Sequence, residues 1–293
     1  METLRTTYYL LPPGMRRVAR RIWYLPQDLI ESVSGKRDPM VPPKGKIFIG
    51  SGDFLATGES IRQQLVTLAG LMPGHRVLDV GCGMGRVAVP LTSFLNEKGS
   101  YEGFDIVPAA IRWCRKKITS RYPRFRFTHI DLKNDLYNLR ARQEAKNIKF
   151  PYDEGEFDLV FLTSVFTHML PEDVKNYLDQ IYRVLKPGGT CFATFFLMNR
   201  GAERMMSRTG KEMFTTRLEH HSLFHPRVKE ANVAYEEAYL REVMLVEAGF
   251  KLEQVRYGFW PGRPRTALNN YQDICIFSKA RESGGNGTVN VRL

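Results

Sequence analysis

The chain has 293 residues, 43% hydrophobic and 25% charged, and its 43 Lys and Arg exceed 31 Asp and Glu for a formal charge of +12. That apolar share supplies the core of one large domain with extensions and excludes disorder over most of the length. The longest apolar runs, such as Phe195-Phe196-Leu197-Met198, fall far short of the ~20 residues that span a bilayer. Met1 to Arg5 precede no signal-type apolar core, so the expectation is a soluble, cytoplasmic protein.

Residues 1–50 read as an N-terminal arm. Pro12, Pro13, Pro26, Pro39, Pro42 and Pro43 interrupt long regular elements and predict short helices wrapped on the main domain. Tyr8, Tyr9, Leu10, Leu11, Trp23, Tyr24 and Leu25 are then docking residues. Arg16, Arg17, Arg20 and Arg21 beside these aromatics leave a second reading, peripheral contact with a membrane surface.

Residues 51–280 are the main domain. Strands are expected at Arg76 to Val80, Tyr101 to Asp105, Phe125 to Ile130, Phe157 to Leu162, Thr190 to Leu197, Phe250 to Tyr257 and Asp273 to Lys279. Helices are expected at Gly85 to Asn96, Pro108 to Ser120, Glu172 to Leu185 and Tyr235 to Ala248, with Pro108 and Pro171 near helix starts and Pro187-Gly188-Gly189 as a stop. This alternation is the signature of an α/β fold, a parallel sheet covered on both faces. Only Trp260-Pro261-Gly262-Arg263-Pro264 and its neighbours join the last two strands, which favours an antiparallel hairpin. Residues 199–234 form a long insertion whose Met205, Met206, Met213, Phe214, Leu218, Leu223 and Phe224 are either plain core or an adaptable lid over a ligand. Residues 281–293, rich in Gly, Ser and Asn, read as a flexible tail.

Ile111 to Arg126 carries seven Lys and Arg and no acid, and reads first as a solvated helix face and second as a partner-binding patch. Cys82, Cys114, Cys191 and Cys275 form no C-x-x-C pair, which argues against both a disulfide framework and a zinc cluster.

Val77 to Arg86 runs from an apolar strand into a helix through Gly81, Gly83 and Gly85. The loop is G-x-G-x-G rather than the dinucleotide G-x-G-x-x-G, and Asp79 lies two residues before its first glycine. A carboxylate there repels a pyrophosphate and suits a cationic ligand without phosphate. S-adenosylmethionine, with an ammonium and a sulfonium, is such a ligand. Asp105 closes the second strand, where a carboxylate can accept both hydroxyls of a ribose. Asp131 follows the third strand, in reach of an adenine amino group. Taken singly, each acid is equally a helix cap or a solvated loop residue, but all three fall at the carboxyl ends of successive strands, where open α/β sheets bind ligands.

With these residues the chain resembles the class I S-adenosylmethionine-dependent methyltransferases. The likeness rests on Val77 to Arg86, Tyr101 to Ile106, Asp131-Leu132, Phe150 to Val160 and Arg183 to Gly189, in family order over about residues 70–280. It implies a doubly wound, Rossmann-like, seven-stranded, mostly parallel sheet with an antiparallel last strand. It also implies roles. Asp79 lies near the methionine ammonium, and Gly81 and Gly83 lie against the methionine moiety, with Cys82 between them among the contacts. Asp105 takes the ribose, Ile106 the adenine face, Asp131 and Leu132 the adenine edge. Thr163 lines the donor beside the acceptor pocket, and Ser51 and Gly52 come from a segment that folds over the cofactor.

Methyl transfer is an in-line displacement, in which positioning supplies much of the catalysis and a general base is optional. His168, just after the fourth strand, is the candidate base, with packing or capping as the alternative. His220, His221 and His225 suggest a metal site only if a helix carries them, and Pro226 argues against one, so no metal is expected. The hairpin's Tyr257, Phe259 and Trp260 can flank an acceptor. The chain has no Asn/Asp-Pro-Pro-aromatic tetrapeptide after the fourth strand, no Pro-Cys or Thr-Cys nucleophile pair and no acid pair for magnesium. A small, largely apolar acceptor remains the first reading. A macromolecular acceptor, RNA above all, is the second, and a non-catalytic adenosylmethionine-binding module the third. Oligomeric state is not legible.

Overall fold

The computed structural model describes residues 13–35, 37–48, 52–134, 138, 141, 143–266 and 269–281. Tyr8 to Leu11, Ser51 and the tail after Arg281 lie outside the described residues. The elements in chain order are α1 (Pro13–Val33), α2 (Phe54–Ala69), β1 (Arg76–Val80), α3 (Ala88–Phe94), β2 (Ser100–Asp105), α4 (Pro108–Cys114, continued by a π turn over Arg115–Thr119), β3 (Phe125–His129), β4 (Phe157–Leu162), α5 (Pro171–Val184) and β5 (Leu185–Phe195). The insertion follows with β6 (Leu197–Met198), α6 (Arg200–Thr209), β7 (Thr216–Arg217), β8 (His221–Leu223) and β9 (Val233–Glu236). Helical turns over Glu237–Tyr239, Leu240–Met244 and Leu245–Glu247 lead to β10 (Phe250–Arg256) and β11 (Asp273–Lys279).

Seven strands form one sheet in the order β10-β11-β5-β4-β1-β2-β3. β3, β2, β1, β4 and β5 pair in parallel, while β11 runs antiparallel to both β5 and β10. This is the doubly wound sheet with a hairpin at one edge that the pattern predicts. Alternation along each strand divides the core in two. Leu78, Val80, Val160 and Leu162 face the cluster built with α5, and Val77, Leu159 and Phe161 face the one built with α2, α3 and α4. Asp79 belongs to the second face by the same alternation.

Helix ends follow the expected chemistry. Asp53 caps α2 by accepting from Ala56 N–H at 2.7 Å, and Pro108 and Pro171 stand in the first turns of α4 and α5. α3 is shorter than Gly85 to Asn96, because the glycine bend extends to Val87. Pro187-Gly188-Gly189 lies in an irregular start of β5, where the pairing with β4 shifts, after α5 has ended at Val184.

The arm corrects an expectation. Its described residues hold a 21-residue helix, α1, with Pro26 inside, and a 3-10 turn at Lys44–Lys46, where several short helices were expected. Pro13 occupies the first turn, where no N–H bond is lost, and Pro39, Pro42 and Pro43 follow the helix end, so only Pro26 opposes it. External bonds hold the last turns: Asp28 accepts from Lys44 N–H at 2.6 Å and from Gly45 N–H at 2.9 Å. Trp23 and Leu25 do not dock; they are 79% and 54% exposed.

The insertion is a second, four-stranded sheet in the order β6-β9-β8-β7. Met206, Phe214 and Leu223, read as either core or lid, are buried; Met206 and Phe214 pack with Phe196, Ala202, Ala234 and Trp260. The sheet is joined to the hairpin by Asp273, which is wholly buried. Its carboxylate accepts from Leu197 N–H, Gly258 N–H and Trp260 Nε1–H, each at 2.7 Å.

Candidate functional site

β1 delivers the chain into the bend at Gly81. Gly81 N–H and Cys82 N–H both donate to Phe104 O, at 2.9 and 3.0 Å, which ties the bend to the end of β2. Gly81 has φ +78°, and a Cβ there would meet Val165 Cγ2 at 2.5 Å, so the segment after β4 closes directly on the bend. Gly85, at φ +80°, is packed as closely by Ile118 of the α4 extension.

Two carboxyls lie beneath this bend. Asp79 is 1% exposed; its Oδ2 accepts from Tyr101 O–H at 2.6 Å, and its Oδ1 is buried with no hydrogen-bond partner. Burial raises its pKa to about 8 against the opposing pull of the Tyr101 hydrogen bond, and the Asp105 charge adds to the rise. Asp105 accepts from Gly83 N–H and Val107 N–H, both at 2.8 Å. Burial pushes its pKa up, while these two backbone donors pull it down.

The other predicted residues are not all drawn in. Ile106 is half-buried between the two core clusters and Leu132 is buried in one of them. Asp131 is exposed, and its Oδ1 accepts from Asn138 Nδ2 at 2.8 Å, apart from the buried pair. Gly52 is exposed ahead of α2, and Cys82 is buried in the bend with its thiol pKa raised by burial. Thr163 is half-buried at the end of β4.

His168 sits in a short 3-10 turn, Phe166–His168. Its Nδ1 lies 3.0 Å from Glu230 O of the insertion. A carbonyl only accepts, so Nδ1 carries the proton and a neutral imidazole has its lone pair on Nε2. Ser164, a non-glycine residue at φ +59°, donates from N–H to Thr194 Oγ1 at 2.8 Å and from its hydroxyl to Gln272 Oε1 at 2.9 Å. Beyond Gln272 stands an aromatic wall: Tyr271 lies 5.9 Å from Phe196 and 5.4 Å from Phe259, ring to ring, and its hydroxyl lies 3.3 Å from Met213 Sδ.

Sequence reading missed Tyr101, Ser164, Thr194 and Gln272, whose roles depend on which strands are neighbours. It also missed Gly58 of α2, where a Cβ would meet Arg86 O at 2.2 Å. The histidine cluster is not helical: His221 is in β8, His220 stacks on Tyr239 with centroids 4.0 Å apart, and His225 Nδ1 accepts from Arg227 N–H. A separate cleft of about 720 Å³ lies near the amino ends of β1 and β4, away from the bend. Within its charged lining Arg76 pairs with Glu156 and Arg126 with Glu102.

A family profile described as a methyltransferase domain matches residues 77–189, the stretch from β1 into β5. This stretch is similar to methyltransferase domains. Among curated relatives, a phthiotriol/phenolphthiotriol dimycocerosates methyltransferase of Mycobacterium leprae is 33% identical over 118 residues, 40% of this chain and 36% of that one. A tRNA N(3)-cytidine methyltransferase of Gallus gallus is 27% identical over 139 residues, 45% of this chain and 33% of that one. A cycloartenol-C-24-methyltransferase of Arabidopsis thaliana is 30% identical over 145 residues, 47% and 38% of the two chains. The matched stretch thus spans 33 to 38% of these relatives. The solved PH0226 protein of Pyrococcus horikoshii shares the fold, with a TM-score of 0.53 and 17% identity over 79% of this chain and 93% of that one.

S-adenosylmethionine is the methyl donor that the resemblance to class I methyltransferases implies. Its chemistry fits the residues present. A buried acceptor with no partner, Asp79 Oδ1, and a second carboxyl beside it suit a cation and disfavour a pyrophosphate.

Proposed function

We propose that the domain transfers a methyl group from S-adenosylmethionine to an oxygen, nitrogen or carbon of a small, largely apolar acceptor. The observation that carries this reading is the unpartnered Asp79 Oδ1 beneath a phosphate-averse glycine bend. When bound, the donor supplies a methyl group already activated on a sulfonium.

Asp79 holds the donor's ammonium. Asp105 has lone pairs left after its bonds to Gly83 and Val107 and takes the ribose hydroxyls. Ile106 and Leu132 flank the adenine, Asp131 exchanges Asn138 for the adenine amino group, and Thr163 lies between donor and acceptor. Gly81, Cys82, Gly83 and Gly52 complete the cofactor contacts. The acceptor rests on Tyr271, Phe259 and Met213, with Phe196 behind them, and the insertion that carries Met213 acts as its lid. His168, with its lone pair on Nε2, takes the proton when the acceptor is a hydroxyl. Relatives named for phthiotriol dimycocerosates and cycloartenol agree with an apolar acceptor.

Incubation with donor labelled in its methyl group and a fractionated cell extract tests the proposal. Label is expected in small or lipid-like molecules. Label in RNA, or none in any fraction, contradicts it.

A further inference from the structure

Helix α1 is docked with its polar side inward. Period 3.6 places Arg20, Tyr24, Asp28 and Glu31 on one stripe and Val18, Ile22, Leu25, Leu29 and Val33 on the other. The first stripe meets the turn at Lys44–Lys46. Arg20 Nε donates to Lys44 O at 3.3 Å, Asp28 accepts from Lys44 and Gly45 N–H, and Glu31 pairs with Lys44 Nζ at 3.2 Å. Close approach is possible because Gly45 has no Cβ; one built there would lie 3.0 Å from Arg21 Cα. The aliphatic stripe faces solvent, with exposures from 54% at Leu25 to 90% at Val33, and Trp23 stands at its edge. A contiguous apolar face of this size marks an interaction surface.

The charge around the face selects its occupant. Both acids of α1 are spent on the inward side, while Arg21 is exposed beside the stripe. The turn that seats α1 also reaches α4, since Lys46 Nζ and Lys117 Nζ lie 5.8 and 5.5 Å from the Trp113 ring. α4 and its extension expose Arg112, Arg115 and Lys116 and contain no acid. On α1 itself the stripe is flanked by exposed Arg21 and by no acid, so the surface it presents is aliphatic and cationic. A second copy would set this charge against itself, and a nucleic acid would leave the aliphatic stripe in water. No described helix is long and apolar enough to cross a membrane.

We propose that α1 lies in the interface of a lipid bilayer containing anionic lipids, with its aliphatic stripe below the headgroups and the arginines and lysines at their level. This docking is independent of methyl transfer. The full chain, sedimented with vesicles of phosphatidylcholine alone or with one third phosphatidylglycerol, tests it. Binding is expected to be at least tenfold tighter on the anionic vesicles, with a blue shift of Trp23 emission that Trp23→Phe abolishes. Ile22→Asp combined with Leu29→Asp is expected to weaken it at least tenfold at an unchanged unfolding temperature, because both side chains are already in water. Equal binding to neutral vesicles, no binding, or binding indifferent to the double substitution overturns the proposal. So does self-association that the double substitution dissolves in place of vesicle binding.

Discussion

The Tyr101 hydroxyl donates to Asp79 Oδ2 at 2.6 Å in the interior of the domain, and Gly103 makes the bond possible. Asp79 and Gly103 are partners across β1 and β2, and a Cβ on Gly103 would lie 3.0 Å from the Tyr101 hydroxyl. The phenol thus occupies the space that a side chain would take. It satisfies one carboxyl oxygen and leaves the other open under the glycine bend.

Removing that phenol strands both oxygens. Tyr101→Phe is expected to destabilise the fold by about 1–3 kcal/mol, the cost of a buried polar group without a partner. It should also raise the Asp79 pKa further, since the Tyr101 bond is the contribution that lowers it. Denaturant unfolding at neutral pH checks the first effect.

Asp79 makes the ligand-free protein sensitive to pH. Its folded pKa of about 8 lies above the ordinary 3.8, so the folded state keeps a proton that the unfolded chain releases. Its contribution to stability is complete below about pH 4 and is lost as pH rises to about 8. Asp79→Asn should therefore be neutral at pH 4 and more stable than the parent at pH 9, as thermal unfolding across that range will show. A cation held by Asp79 favours its ionised form, so binding of S-adenosylhomocysteine at pH 7 is expected to release a proton. Calorimetry in buffers of different ionisation enthalpy measures that release, and none is expected in Asp79→Asn.

Gly81 is constrained twice, by φ +78° and by Val165 Cγ2 at 2.5 Å from a built Cβ. Gly81→Ala is expected to cost about 1–2 kcal/mol from backbone strain alone, with the clash adding to it. Val165→Ala in the same chain should recover the clash but not the strain. Full recovery would mean that the positive φ is not required.

Asp105→Ala is expected to weaken S-adenosylhomocysteine binding by about 1.5–3 kcal/mol, the range for hydrogen bonds to charged groups. It also leaves Gly83 and Val107 N–H without their acceptor. A lower unfolding temperature should therefore accompany the weaker binding.

For His168 the two roles separate by readout. As base, His168→Ala lowers turnover and removes an ionisation from its pH profile while donor affinity stays constant. As a tether to Glu230 alone, it shifts the unfolding temperature and leaves the pH profile of the remaining activity unchanged.

The strands were legible because each is a short apolar run bounded by turn residues; Arg76–Val80, Phe157–Leu162 and Asp273–Lys279 match residue for residue. The bend and the acids at the carboxyl ends of β1 and β2 were legible because each sits within a few residues of a strand end. α1 was not, because Pro13, Pro39, Pro42 and Pro43 lie outside the helix interior and the bonds to Asp28 that hold it come from residues 16 and 17 positions away. The insertion's second sheet was hidden by strands of two to four residues, too short to show alternation. Tyr101 was hidden because its partner is set by sheet register.

Calorimetric titration of the full chain with S-adenosylhomocysteine, with NADH as the phosphate-bearing competitor, bears most directly on the site. One site for S-adenosylhomocysteine is expected, weakened by both Asp79→Asn and Asp105→Ala, with no competition from NADH. Displacement by NADH, or affinity indifferent to both substitutions, would show that the bend and its two carboxyls hold something else.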